Sequence, residues 1–241
     1  MGFLVNSFIE FPPPSEITFD NQDIIQRGTA TPSAGAGGTG LVSGTFSDFT
    51  VGNNTNRVLI VASGCYNAAP DITEVTFNGD EDFQKITQYK PASEFNLEFW
   101  ILYAPTVSTG DVVITYGTDT SGSYEAGAGQ TGAIVYSFYG VKQSSATGTP
   151  VTKNAGASTN PFIAITPATA GSMIMDCWFA GAGSPVPNNA DTDGMNIICG
   201  GVDRSMASQY NLSPTIGSSN NMTRTAGNSS YSQIAVEILR A

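Results

Sequence analysis

Three consecutive stretches decide the fold: RVLIVASG (Arg57 to Gly64), DITEVTFNG (Asp71 to Gly79) and EDFQKITQY (Glu81 to Tyr89). The first is a nearly continuous apolar run of strand length, as expected for a central strand covered on both faces. The second ends in Asn78-Gly79, the strongest short hairpin signal. The third follows at once, so the second and third are expected to pair.

Working outward, the same grammar repeats. EFNLEFWILY (Glu94 to Tyr103) alternates, with Phe95, Leu97, Phe99, Ile101 and Tyr103 on one face and Glu94, Asn96 and Glu98 on the other until Trp100. LVSGTFSDFTV (Leu41 to Val51) runs into the turn Gly52-Asn53-Asn54, and EITFD (Glu16 to Asp20) is a candidate first strand. DVVITYG, AIVYSFYGV, FIAITP, SMIMDCWFA, MNIIC and SQIAVEILR complete the set, with AIVYSFYGV (Ala133 to Val141) central. The last strand should lie within a sheet, because Ile234, Val236 and Ile238 need one buried face while Ala235 and Leu239 cover the other. No segment carries a capped period of 3.6. The pattern predicts an all-β chain, a jelly-roll-type two-sheet β-sandwich. FTVGNNTNRVLIVASG (Phe49 to Gly64) and ITPATAGSMIMDCWFAG (Ile165 to Gly181) each run strand, polar turn, apolar strand. The likeness reads as the common grammar of hairpins rather than as equivalent strand pairs in two halves of one sandwich.

Composition narrows the chemistry. The 241 residues include no histidine, and charged residues are only 12%, against roughly 25% in average usage. Histidine is the usual general base near neutral pH and the commonest metal ligand, so its absence removes Ser-His-Asp triads, Cys-His pairs and His-based zinc sites. The net charge is −11, from 20 acidic and 9 basic residues. With the basic residues scattered, a nucleic-acid partner is not expected. Cys65, Cys177 and Cys199 each close an apolar run and read as buried free thiols. No run reaches the roughly 20 apolar residues of a membrane span, and the opening lacks signal-peptide character. Cytoplasmic synthesis and a soluble product are expected.

The first fifteen residues read as a separate arm, with 16–241 as the sandwich domain. Phe3, Leu4, Phe8 and Ile9 form an apolar tip. Pro12, Pro13 and Pro14 make an extended polyproline stalk behind it. These seven residues are the expected docking anchors.

Other candidates are fewer. NNADTDG (Asn188 to Gly194) alternates Asp191 and Asp193 ahead of a glycine, like the opening of an oxygen-rich calcium loop, but lacks the distal glutamate. An Asx-rich turn is the simpler reading. Asp80, Glu81 and Asp82 read as a solvated acidic tip. Glu94 and Glu98 share a face about 13 Å apart, beyond the roughly 5–9.5 Å of paired glycosidase carboxylates. Trp100 and Trp178 lie inside apolar strands and read as core. Tyr124, in the polar stretch Thr118 to Gln130, is the candidate exposed ring for stacking on a sugar. GAGGTG (Gly35 to Gly40) lacks the lysine and the strand-to-helix context of a phosphate loop. No catalytic residue and no cofactor is expected, calcium being the one metal considered.

LVNSFIEF (Leu4 to Phe11), the series from NRVLIVASG to AIVYSFYGV (Asn56 to Val141), and the closing pair SMIMDCWFAG and QIAVEILR together resemble phage-encoded jelly-roll virion structural proteins. The resemblance implies a capsid decoration (cement) or fibre-type protein and carries over no catalytic residues. The expected function is therefore a non-enzymatic virion component. It would act by self-assembly, trimers suiting local threefold positions, and by docking on a major capsid or tail protein, with no nucleic acid or membrane as partner. The rival is a carbohydrate-binding β-sandwich module, calcium-assisted through Asp191 and Asp193; a glycan-cleaving enzyme is the third reading.

Overall fold

The computed structural model describes residues 16–27, 43–66, 71–91, 95–117, 131–180, 186–187, 195–198, 205–225 and 229–241. Among these there is no helix. The strands are β1 (Thr18–Arg27), β2 (Ser43–Thr50), β3 (Val58–Tyr66), β4 (Ile72–Phe77), β5 (Glu81–Asp82), β6 (Gln84–Tyr89), β7 (Phe95–Tyr103), β8 (Thr109–Tyr116) and β9 (Thr131–Tyr139). Then follow β10 (Val151–Ser158), β11 (Phe162–Ile165), β12 (Met173–Ala180), β13 (Val186–Pro187), β14 (Met195–Ile198), β15 (Ser205–Asn211), β16 (Asn220–Thr225) and β17 (Ser229–Ile238).

The protein is an all-β sandwich. Two five-stranded sheets face each other, in the orders β1-β9-β3-β7-β6 and β10-β17-β12-β15-β14. Each carries a smaller sheet on its outer side, β2-β8-β4-β5 on the first and β11-β16-β13 on the second. Strand periodicity explains the layers. Along β3, Val58, Ile60 and Ala62 enter the central core, while Leu59 and Val61 enter the core beneath β2 and β8. Along β12, Met173, Met175, Cys177 and Phe179 face the centre and Ile174, Trp178 and Ala180 face outward. Strands buried on both faces have no polar side to show, so they read as unbroken apolar runs.

The two halves of the chain repeat one plan. Both five-stranded sheets place the first, eighth, third, sixth and fifth strands of their half in that order, and both outer sheets place the second, seventh and fourth. In the first half the fifth position is divided between β5 and β6. This is the double-sheet, eight-strand arrangement of a jelly roll, built once from β1–β9 and again from β10–β17. The units meet through equivalent surfaces: β3 lies against β12, β7 against β17 and β15 against β9. At one end Val141 bridges Arg240, and Lys142 N–H donates to Leu239 O at 2.9 Å. Toward the other end the Phe95 and Phe179 rings lie 5.6 Å apart. Corresponding strands therefore run the same way, related by an approximate two-fold axis along them.

Two expectations need correction. The likeness between Phe49–Gly64 and Ile165–Gly181 is one of structure: as far as they are described, both run from the end of the second strand through the turn into the third strand of their unit. The expected pairing of Asp71–Gly79 with Glu81–Tyr89 holds only at its start, where Phe77 and Thr76 pair with Glu81 and Asp82. Phe83 is buried in the outer core, and its N–H bonds Val75 O at 2.9 Å. Beyond it the chain crosses to the inner sheet, where Gln84–Tyr89 pairs with β7. Elsewhere β17 lies inside its sheet, Trp100 and Trp178 are buried, and Cys65 and Cys177 are buried thiols outside any disulfide, as expected. Cys199 lies outside the described residues.

Candidate functional site

The anchors Phe3, Leu4, Phe8, Ile9, Pro12, Pro13 and Pro14, the metal candidates Asp191 and Asp193, and Tyr124 all lie outside the described residues, as does Glu94. Polar chemistry among the described residues gathers at three buried carboxylates, Glu98, Asp176 and Glu237, and at the two ends of the molecule. Glu237 Oε1 accepts from Ala168 N–H at 3.1 Å, Thr169 N–H at 2.8 Å and Ser172 Oγ at 2.8 Å.

Glu98 projects from β7 between the two sheets of the first unit and is 1% exposed. Its Oε1 accepts from Ile72 N–H at 3.0 Å, Asn96 Nδ2 at 3.0 Å and Gln88 Nε2 at 3.3 Å. Its Oε2 accepts from Trp100 Nε1 at 2.9 Å and pairs with Lys85 Nζ at 2.9 Å. Lys85 also lies over the Trp100 ring, 4.9 Å from its centre. Gln88 and Asn96 donate in addition to Asp71, which pairs with Lys90 at 3.0 Å. Desolvation acts to raise the Asp71 carboxyl, but hydrogen bonds from Lys90 and Gln88 outweigh it and hold the group below its ordinary value. Burial, helped by the Glu98 charge, pushes the nearby Cys65 thiol up to about 12. One carboxylate thus ties β4, β6 and β7 together where the fifth strand changes sheets.

The second unit solves the same problem at a different strand. Asp176 on β12 and Arg224 on β16 are both fully buried and pair at 2.6 Å. Asp176 also accepts from Gln209 N–H at 3.2 Å, Gln209 Nε2 at 3.2 Å and Gln233 Nε2 at 2.5 Å. Arg224 lies over the Trp178 ring at 5.6 Å. Desolvation raises the Asp176 carboxyl despite the opposing pull of Arg224. Glu98 and Asp176 are both hydrogen-bond hubs that clamp the outer sheet to the inner one. Asp176 was detectable as a charge inside SMIMDCWFA, since a buried carboxylate requires a partner. The partners of Glu98 were not, because Ile72, Lys85 and Gln88 arrive from other strands.

The two ends of the molecule differ. Strand pairing brings Arg27, Thr131, Cys65 and Asn96 together at one end. The chain leaves and re-enters the described residues there at 28–42, 67–70, 92–94 and 118–130. At the opposite end lie Thr18 and Tyr139, the junction between units and the C-terminal Ala241, whose N–H bonds Gly140 O at 2.9 Å. Compact hydrogen-bonded turns close this end. Three edge strands, β1, β6 and β10, each carry a register shift, a device that discourages edge-to-edge pairing; the edge strand β14 pairs in unbroken register.

No family model matches the chain, and neither a curated protein nor a solved structure matches it.

Proposed function

We propose that this chain is a virion structural protein, a capsid decoration or fibre-type component that works by docking in many copies on a capsid or tail surface. The observation that carries this reading is the pair of jelly-roll units locked over one apolar core; double-sheet jelly rolls recur in viral capsid and lectin domains. A body held through three stacked cores is suited to bearing load rather than to opening and closing around a substrate. The chemistry of the buried carboxylates supports the same reading, since Glu98 and Asp176 spend their lone pairs on structural donors.

Docking acts in this reading through the arm, residues 1–15, which joins the body at Glu16 beside the end that holds the C-terminus. The apolar residues Phe3, Leu4, Phe8 and Ile9 supply buried area and Pro12–Pro14 limit the entropy lost on binding. Weak contacts repeated over a symmetric shell gain strength by avidity. The arm and the turn-bearing end are the docking elements in this reading.

The test uses particles purified from cells that produce this protein, and particles from cells deleted for it. Added back, the full chain should bind the deleted particles. A chain lacking residues 2–14 should fold, with an unchanged thermal transition, and fail to bind. Failure of the full chain to bind, together with binding on a glycan array or release of reducing sugar, overturns the proposal in favour of a carbohydrate-binding module or a glycan-cleaving enzyme.

A further inference from the structure

Among the residues whose burial is described, Val107, Phe162 and Ile216 are the large, apolar and exposed ones. Two of the three are counterparts. Val107 lies in the turn between the sixth and seventh strands of the first unit, β7 and β8; Ile216 lies in the same turn of the second unit, between β15 and β16. The two-fold relation of the units sets both turns at the end of the molecule that carries the C-terminus. Val107 is 42% exposed and Ile216 37%.

Both tips are held rigidly. Around Val107, Thr106 N–H donates to Glu81 Oε2 at 2.9 Å, Asn78 Nδ2 donates to Ser108 Oγ at 2.8 Å, and Ser108 O accepts from Val51 N–H at 2.9 Å. Around Ile216, the Asn220 side chain accepts from Thr215 N–H at 2.9 Å and donates to Thr215 O at 2.9 Å and Ser218 O at 2.8 Å. Gly217 N–H closes the turn onto Pro167 O at 2.9 Å. A side chain displayed on a pinned turn loses little freedom when it is buried, which favours binding. Isolated exposed apolar residues are ordinary. A matched pair, each on its own braced turn and at one end, is not.

We infer that this end is a two-point docking face, in which Val107 and Ile216 seat in two copies of the same apolar pocket on neighbouring subunits of a repeating protein surface. The inference rests on the proposed docking function and names its surface and the kind of partner. Exposed Asp48, Asp80, Asp82 and Asp111 flank the Val107 turn, so the partner pocket there has a basic rim and binding weakens with salt.

The experiment adds the full chain to particles lacking it and compares wild type with Val107→Asp, Ile216→Asp, the double variant, and Phe162→Ser as a control from the opposite end. All three positions are exposed, and an unchanged thermal transition verifies the fold. Losing either tip turns two-point into one-point attachment, so each single variant should bind at least about a hundredfold more weakly. The double variant, left with the arm alone, should bind more weakly than either single variant, the control should match wild type, and saturation should stand at one chain per two partner subunits. Undiminished binding by the double variant, or saturation at one chain per subunit, overturns this inference and leaves docking intact. Absence of binding by the wild type overturns docking itself.

Discussion

Gly64 lies where β3 meets the second unit. A Cβ there would stand 2.8 Å from Phe179 Cδ2 and 3.1 Å from Leu97 Cδ2. Phe179 is the counterpart of Gly64 across the two-fold axis, so one unit offers a gap and the other fills it. Gly64→Val should destabilise the protein by about 1–3 kcal/mol through overpacking, measured by denaturant unfolding; unchanged stability would mean the units are not in contact at that point. Asp176 answers to the same kind of test. Asp176→Asn leaves the Arg224 charge buried without a counter-charge and should cost about 3–5 kcal/mol. Replacing Asp176 and Arg224 together by apolar residues should cost much less, and equal costs for the single and joint changes would contradict the pairing. Cys65, raised to about 12 by burial, stays a protonated thiol at pH 8. Peptide-mapped alkylation at that pH should leave Cys65 unmodified in the folded protein and modify it in denaturant. At this scale the sequence was readable where a residue broke its local pattern, as Asp176 does. Gly64 gave no such signal, because the residue opposite it lies more than a hundred positions away.

At the scale of elements, the apolar runs were legible and the half-polar strands were not. β3, β7, β9, β12 and β17 read directly, since coverage on both faces demands continuous hydrophobicity. β10 (VTKNAGAS) and β16 (NNMTRT) escape a sequence reading. β10 is an edge strand, and β16 buries only Met222 and Arg224, one of them charged. β15 (SMASQYN) hides its role because Gln209 and Ser208 face buried hydrogen-bond partners rather than solvent. The stretch Glu81–Tyr89 looks like one strand and serves two sheets, hinged at Phe83. Phe83→Ala should destabilise the first unit by about 3–5 kcal/mol, because the ring is buried where the chain passes between sheets. A cost near that of a surface substitution would show that the crossing does not depend on it.

The whole molecule was legible as an all-β sandwich but not as a duplication. The two units share a topology but differ in residues: the first buries Glu98 on its sixth strand, the second Asp176 on its third and Glu237 on its eighth. Because the central core draws on both units, neither should melt alone. Calorimetry should give one transition with matching calorimetric and van't Hoff enthalpies, and two resolved transitions would contradict a shared core. The functional claim meets its most direct test in electron cryomicroscopy of particles from cells that produce this protein. The account predicts a double sandwich at a repeated, symmetry-related position, resting on the end that carries Val107 and Ile216. Particles with no such density, from cells in which the protein is abundant and unattached, would contradict it.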